Sequence, residues 1–187
     1  MRHAHTQTLY AYWDARRRGA SAPTRADIAP RDLASLLGNL FILRRMDPAH
    51  HVFRLAGTSL CKMHRREFKD QNFLSLWQDF DRAHMTALLE GALSTPAPAT
   101  AMAQAIALDG ESVDVEISLL PLRGPEGQTD RILGLYQPMT RARHLERRPI
   151  IRHVLRELHP ARTPTPSVEC HLHAPRYYDT LLAANDH

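Results

Sequence analysis

Between Tyr12 and Trp77 the chain reads YWDARRRG (12–19), PTRADIAP (23–30), LLGNLFILRRMD (36–47), HVFRLAGTSL (51–60) and REFKDQNFLSLW (66–77). The first segment closes a helix that runs from about Thr6 to Arg18. Arg16, Arg17 and Arg18 sit in its last turn, where cations suit the helix dipole, and Gly19 is a natural stop. Asp27 as a cap and Pro30 near the first turn open a second short helix, with Leu33, Leu36 and Leu37 as its buried face. Leu40 to Arg45 is a short apolar run of strand length. Asp47-Pro48 marks a turn. His51 to Ala56 then alternates, with Phe53 and Leu55 on one side and Arg54 on the other, as a hairpin partner. Ser59 to Arg65 and Asp70 to Trp77 give short helical turns.

Downstream, Asp79 to Leu93 is the clearest helix. Phe80, His84, Leu88 and Gly91 form one stripe, with Met85, Leu89 and Ala92 beside it. Three strands follow. Thr100 to Leu108 puts Met102, Gln104, Ile106 and Leu108 on one face and alanines on the other. Asp109-Gly110 is a hairpin turn signal. Ser112 to Leu120 alternates, with Val113, Val115, Ile117 and Leu119 inward. Arg131 to Met139 is the last sheet strand, with Leu133, Leu135 or Tyr136 facing inward. This order predicts an α+β domain with an antiparallel sheet and its helices grouped on one side.

After Thr140 the pattern changes. Ile150, Ile151, Val154, Leu155 and Leu158 have helical spacing and are flanked by Arg147, Arg148, Arg152 and Arg156, so this segment predicts a basic amphipathic helix. Val168, Cys170 and Leu172 alternate like a short edge strand, and Arg176 to Asn185 reads as a terminal helix. The expected organisation is an N-terminal helix and linker (1–22), a folded domain (23–140) and a basic C-terminal extension (141–187).

The 187 residues suffice for one domain with some extra chain, and the 43% hydrophobic and 24% charged fractions are those of a globular protein. The net charge of +4 is almost all arginine, because lysine occurs only at Lys62 and Lys69. Such a balance favours an acidic partner: nucleic acid, an anionic surface or an acidic protein face. No basic stripe interleaved with aromatics is present, so nucleic acid is not expected. Cys61 and Cys170 are read as reduced thiols. No apolar leader and no membrane-length apolar run occurs in the sequence, and the expected location is the cytoplasm.

The residues Tyr12-Trp13, Pro23-x-Arg25, Asp27-Ile-x-Pro30, Leu36-Leu37, Phe53-Arg-Leu-Ala-Gly-Thr58 and Phe73-Leu-x-Leu-Trp77 carry a resemblance over about residues 8 to 140. They look like a stand-alone bacterial branch of the PAS family, found widely in alphaproteobacteria and long of unknown function. The resemblance implies a five-stranded antiparallel sheet with short helices and one longer helix on one side, enclosing a small pocket. This chain lacks the glycine usual between Glu67 and Phe73, where it has RREFKDQN. The implied role is sensory or regulatory: binding a small ligand, a signalling protein such as a histidine kinase, or both. PAS domains often dimerise through an N-terminal helix, and here Leu9 and Trp13 would supply the homodimer interface.

Pocket candidates follow from the same reading: Phe53, Leu55, Gly57, Met63, Trp77, Met85, Leu88, Ile117, Leu119 and Tyr136 as apolar lining, with Arg54, Thr58, His64 and Gln104 as polar contacts. Arg147, Arg148, Arg152 and Arg156 are the partner-binding candidates. No cofactor is required; His64 or His84 is the residue that could ligate a haem. No metal is expected, although His3 with a free N-terminus has the donor set for Cu(II) or Ni(II). No Ser-His-Asp spacing, Walker loop, GxGxxG or HExxH occurs, so no catalytic output is expected. Two other classes stay open: an enzyme or carrier that uses the same cavity, and an arginine-mediated nucleic-acid binder.

Overall fold

The computed structural model describes residues 2–140 and 148–160. In chain order it has helix α1 (Ala4–Arg17), strands β1 (Leu40–Asp47) and β2 (His50–Ala56), helix α2 (Thr58–His64) and helix α3 (Asp79–Ser94). Strands β3 (Ala99–Ala107), β4 (Ser112–Arg123), β5 (Thr129–Pro138) and β6 (Ile150–His159) complete it. All strand pairs are antiparallel, in the order β2-β1-β5-β4-β3-β6. The fold is α+β, as the order of elements predicts, with one strand more than expected.

The sixth strand is a correction. Residues 150–158 form no helix; they pair with β3. Their spacing misleads because the ladder skips Ile151 and Arg156, each of which bulges out of register. A bulge adds one residue between inward positions. The inward set becomes Ile150, His153, Leu155 and Leu158, whose spacing of three, two and three imitates a helix. Arg147 and the expected elements around Cys170 and Arg176–Asn185 lie outside the described residues.

Alternation along the strands builds a core on each face of the sheet. The inner face holds Phe41, Leu43, Phe53, Ile117, Leu119 and Tyr136 beneath α2, α3 and the 3-10 turn Phe73–Leu76. On α3 the buried stripe is Met85, Leu88, Leu89, Ala92 and Leu93, whereas Phe80 is 83% exposed. Glu90 ties that helix to the sheet. It accepts two hydrogen bonds from Arg45, at 2.7 and 2.8 Å, and lies 3.0 Å from Nε2 of the buried His51. Those bonds from Arg45 hold the Glu90 carboxyl below its usual range.

The outer face holds Leu40, Ile42, Leu120, Leu122, Leu133 and Leu135, covered by α1 and the segment after it. Leu9 and Trp13 are fully buried there, and Trp13 Nε1–H donates to the Pro121 carbonyl at 2.7 Å. Both residues face the chain's own sheet, which corrects their expected role at a homodimer interface. The Tyr12 hydroxyl accepts from the Ala29 amide, and Asp27 closes a capping box on Thr24 rather than capping the next turn. The motif around Pro23–Pro30 is therefore a strap that holds the N-terminal segment across the outer face. It forms 3-10 turns, and Leu37 is exposed instead of buried.

Candidate functional site

The inner face of β3 is a floor of alanines. Ala99, Ala101, Ala103, Ala105 and Ala107 are all buried. Alanine side chains leave the space above them to residues from other elements. Four polar or aromatic groups meet there: His64 from α2, Trp77 from the end of the 3-10 turn, Tyr136 from β5 and His153 from β6. His64 and His153 stack at 5.4 Å between centroids with 26° between planes. Trp77 lies 5.3 Å from His153, and Tyr136 meets both imidazoles edge-on at 5.6 Å. Phe68 closes the far side of His64 at 5.0 Å.

Hydrogen bonding fixes part of this cluster. His64 Nδ1–H donates to the Leu60 carbonyl at 2.9 Å, which leaves Nε2 as an acceptor in the neutral ring. The Tyr136 hydroxyl and His153 Nε2 form a 2.8 Å hydrogen bond. His64 Nε2 and Trp77 Nε1–H are both buried with no partner among the described residues. One is an acceptor and the other a donor. Unsatisfied buried polar groups of this kind are rare and call for an explanation.

The cluster carries no charge. Burial pushes His64 down to about 4. Burial, together with the neighbouring His64, pushes His153 down to about 3, with the Leu76 backbone opposing. Burial also raises the Tyr136 phenol above its ordinary range. At neutral pH the interior is an uncharged, hydrogen-bonding surface enclosed by apolar side chains.

On its outward side, α2 borders an open cleft of about 1260 Å³, lined by Thr58, Cys61, Met63 and Arg66 together with Asn39 and Gln137. This exceeds the usual 300–1,000 Å³ of an enclosed ligand pocket, so the cleft is a surface groove beside the buried cluster. α2 separates the two: Leu60 and His64 point inward, and Thr58, Cys61 and Lys62 face the groove. Burial raises the Cys61 thiol above its ordinary value.

The sequence-derived pocket residues divide accordingly. Phe53, His64, Trp77, Met85, Leu88, Ile117, Leu119 and Tyr136 are buried together on the inner face. Met63 is half-buried against that core and Thr58 lies on the groove. Gly57 is a close-approach position, because a Cβ there would sit 2.2 Å from the Leu37 carbonyl oxygen and 2.3 Å from that of Gly38. Three candidates are misplaced. The ladder skips Arg54, so alternation slips and Leu55 turns out to 42% exposure. Arg54 itself reaches Asp70 in the solvent at 2.8 Å. Gln104 lies on the outer side of the alanine strand, bonded to Ser112 and Arg156.

Other expectations are also revised. His84 is exposed on α3, away from the interior. The donor set for Cu(II) or Ni(II) at His3 is engaged elsewhere. The amides of Arg2 and His3 donate to Glu116 at 2.7 and 2.9 Å, and the His3 Nδ1 caps α1 by accepting from the His5 amide. Burial would raise the Glu116 carboxyl, but those two amides hold it below its usual range. Arg148, Arg152 and Arg156 are exposed on or beside β6. His153 went unrecognised in the sequence because its segment reads as a helix. The available signal was the alanine floor of β3, which requires large side chains from elsewhere to fill the space above it.

The model of a family described as the PAS domain matches residues 1–137. No curated protein matches the chain. Similar solved structures include the LOV protein of Rhodobacter sphaeroides, 16% identical, which covers 64% of this chain and 73% of that one with a TM-score of 0.46. The PAS domain of a protein from Colwellia psychrerythraea is 16% identical and covers 59% of this chain and 96% of that one, with a TM-score of 0.44. The VqmA–ligand–DNA complex from Vibrio cholera is 11% identical and covers 62% of this chain and 54% of that one, with a TM-score of 0.46.

Proposed function

This chain belongs to the PAS domain family, and from that premise we propose that it is a cytoplasmic regulatory module whose interior reads a small molecule and whose output passes to a protein partner. The observation that supports this most directly is the pair of unpartnered buried atoms, the His64 Nε2 acceptor and the Trp77 Nε1–H donor, on either side of His153. A ligand with one donor and one acceptor satisfies both. It is an uncharged ligand, because the site offers no counter-charge and desolvating an ion there would be costly. The groove beside α2 is the nearest open surface, and a ligand entering from it requires α2 to move aside.

The partner proposed is a signalling protein with an acidic face, a histidine kinase being one example. Arg152 is exposed and suited to it, together with Arg148 beside Asp109 and Arg156 bonded to the neutral Gln104. A general nucleic-acid surface is less well supported, because several arginines are engaged within the chain: Arg16 with Asp32, Arg45 with Glu90 and Arg54 with Asp70. Among the described residues no helix is long and apolar enough to cross a membrane.

Native mass spectrometry of protein purified without added cofactors tests the reading. The expected result is a small neutral mass retained by the wild type and weakened about tenfold by Trp77→Phe, the loss of one hydrogen bond. An apo wild type whose tryptophan emission answers to no small neutral compound in a screen would overturn it.

A further inference from the structure

We infer that β6 is a proton-released latch, held on the sheet by His153 and freed when the buried imidazole pair takes up a proton. The inference goes beyond the ligand reading and needs no ligand. It starts from position. Among the described residues β6 is an edge strand that pairs with β3, and its ladder is broken twice, at Ile151 and Arg156. It also lies beyond residues 1–137, which already supply the other five strands. Of its inward residues, only Ile150 and His153 are fully buried, while Leu155 and Leu158 are half-buried. Like β2 at the other edge, β6 has two breaks in its ladder, and its deepest polar anchor is an imidazole.

That anchor is intolerant of charge. His153 faces the His64 ring from α2, the Tyr136 hydroxyl from β5 and the Trp77 indole. β3 offers it only alanines. On the His64 side the one charged group with an effect is Arg66, which also disfavours a cation. Among the described residues the carboxylate reaching β6 from the helical layer is Asp81 of α3, which accepts from the Leu155 amide at 2.9 Å. The remaining charges belong to the strand's solvent side: Arg152, Arg156, Glu157 and His159, with Arg2 paired to Glu157. A proton on either ring therefore creates an unpaired cation stacked on a second imidazole in an apolar interior.

Relief comes by moving one ring into water. His64 sits on a helix packed between the core and the turn that follows it. His153 sits on a strand with one neighbour among the described residues. Expelling His153 breaks one interrupted ladder and leaves the five-stranded sheet intact. Below the ordinary histidine value of about 6.5, the opening constant of β6 should rise about tenfold per pH unit for each imidazole that becomes free to protonate.

Hydrogen exchange on the full chain at pH 7.5, 6.5 and 5.5, corrected for intrinsic rates and with nothing added, tests the latch. The expected result is that β6 amides lose protection about tenfold per unit below pH 6.5, while β4 and β5 amides keep theirs. In His153→Phe the β6 protection should depend on pH less steeply than in the wild type, because only His64 remains to take up a proton. Equal pH dependence in the variant, or constant β6 protection in the wild type, would overturn the inference. Should the variant fail to fold, the wild type decides alone, because loss of β6 and β4 protection in step reports global unfolding and contradicts a latch. A failed ligand screen has no bearing on this result.

Discussion

His153 Nε2 lies 2.8 Å from the Tyr136 hydroxyl, although their strands are separated in the sheet by β4 and β3. The contact spans the sheet because the β3 residues below it are alanines. It also joins β6 to β5, the last strand that begins within the residues matched by the family model. Tyr136→Phe keeps the ring and removes the hydroxyl, leaving a buried imidazole nitrogen without its partner. The expected cost is about 1–3 kcal/mol in urea unfolding. An unchanged midpoint would mean that the bond is not formed in solution.

Acid should destabilise the protein at unusually mild pH. His64 and His153 stay neutral when folded, down to about 4 and about 3 respectively. Unfolded, each binds a proton near 6.5. Between those values the unfolded state holds more protons, so stability falls as pH drops from about 6.5 towards 4. The slope is about 1.4 kcal/mol per pH unit per imidazole, or roughly 3 for the pair. His51, whose value burial also lowers despite Glu90, adds in the same direction. Denaturant titrations at pH 7.5 and 5.5 measure the slope. A flat profile over that interval would show that these rings are not buried neutral.

Trp13→Ala removes a fully buried indole from the outer core and its hydrogen bond to Pro121. The expected loss is about 3–5 kcal/mol of folding stability. Its urea midpoint should drop sharply while the mass of the remaining folded species matches the wild type. A variant of wild-type stability that only changed oligomeric state would restore the dimer role to this helix.

Gly57→Ala drives a methyl group to within 2.3 Å of two backbone carbonyl oxygens. Backbone cannot move aside as a flexible side chain can, so about 3 kcal/mol or more is expected from overpacking. Gly134→Ala meets the Phe41 ring at 2.0 Å and should be of similar severity. Thermal midpoints measure both. A loss under about 1 kcal/mol in either would show that strand and turn can separate at no great cost.

Where the period of the pattern is unbroken, the sequence is legible. β4 alternates cleanly, and Val113, Val115, Ile117 and Leu119 are all buried on the inner face. The apolar face of α1 is equally plain in Leu9 and Trp13, but nothing local says whether that face meets the chain's own sheet or another molecule. Bulges cause the clearest errors. One at Arg54 reverses Leu55, and two in β6 turn a strand into an apparent helix. A bulge is set by pairing with a neighbouring strand, so no single segment announces it. The candidate site suffers from the same cause. His64, Trp77 and Tyr136 were recognisable as inward-facing, but His153 arrives through the misread strand and brings the stacked pair with it.

The central claim is a buried, uncharged imidazole pair at the heart of the domain. Long-range nitrogen–proton NMR on histidine-labelled protein from pH 8 to 5 tests it most directly. The account predicts that His64 keeps its proton on Nδ1, and that the folded form of both His64 and His153 stays neutral to the lowest pH at which the fold persists. If both buried rings instead gained protons near 6.5 with the fold intact, the interior would be open to water and the account would fail.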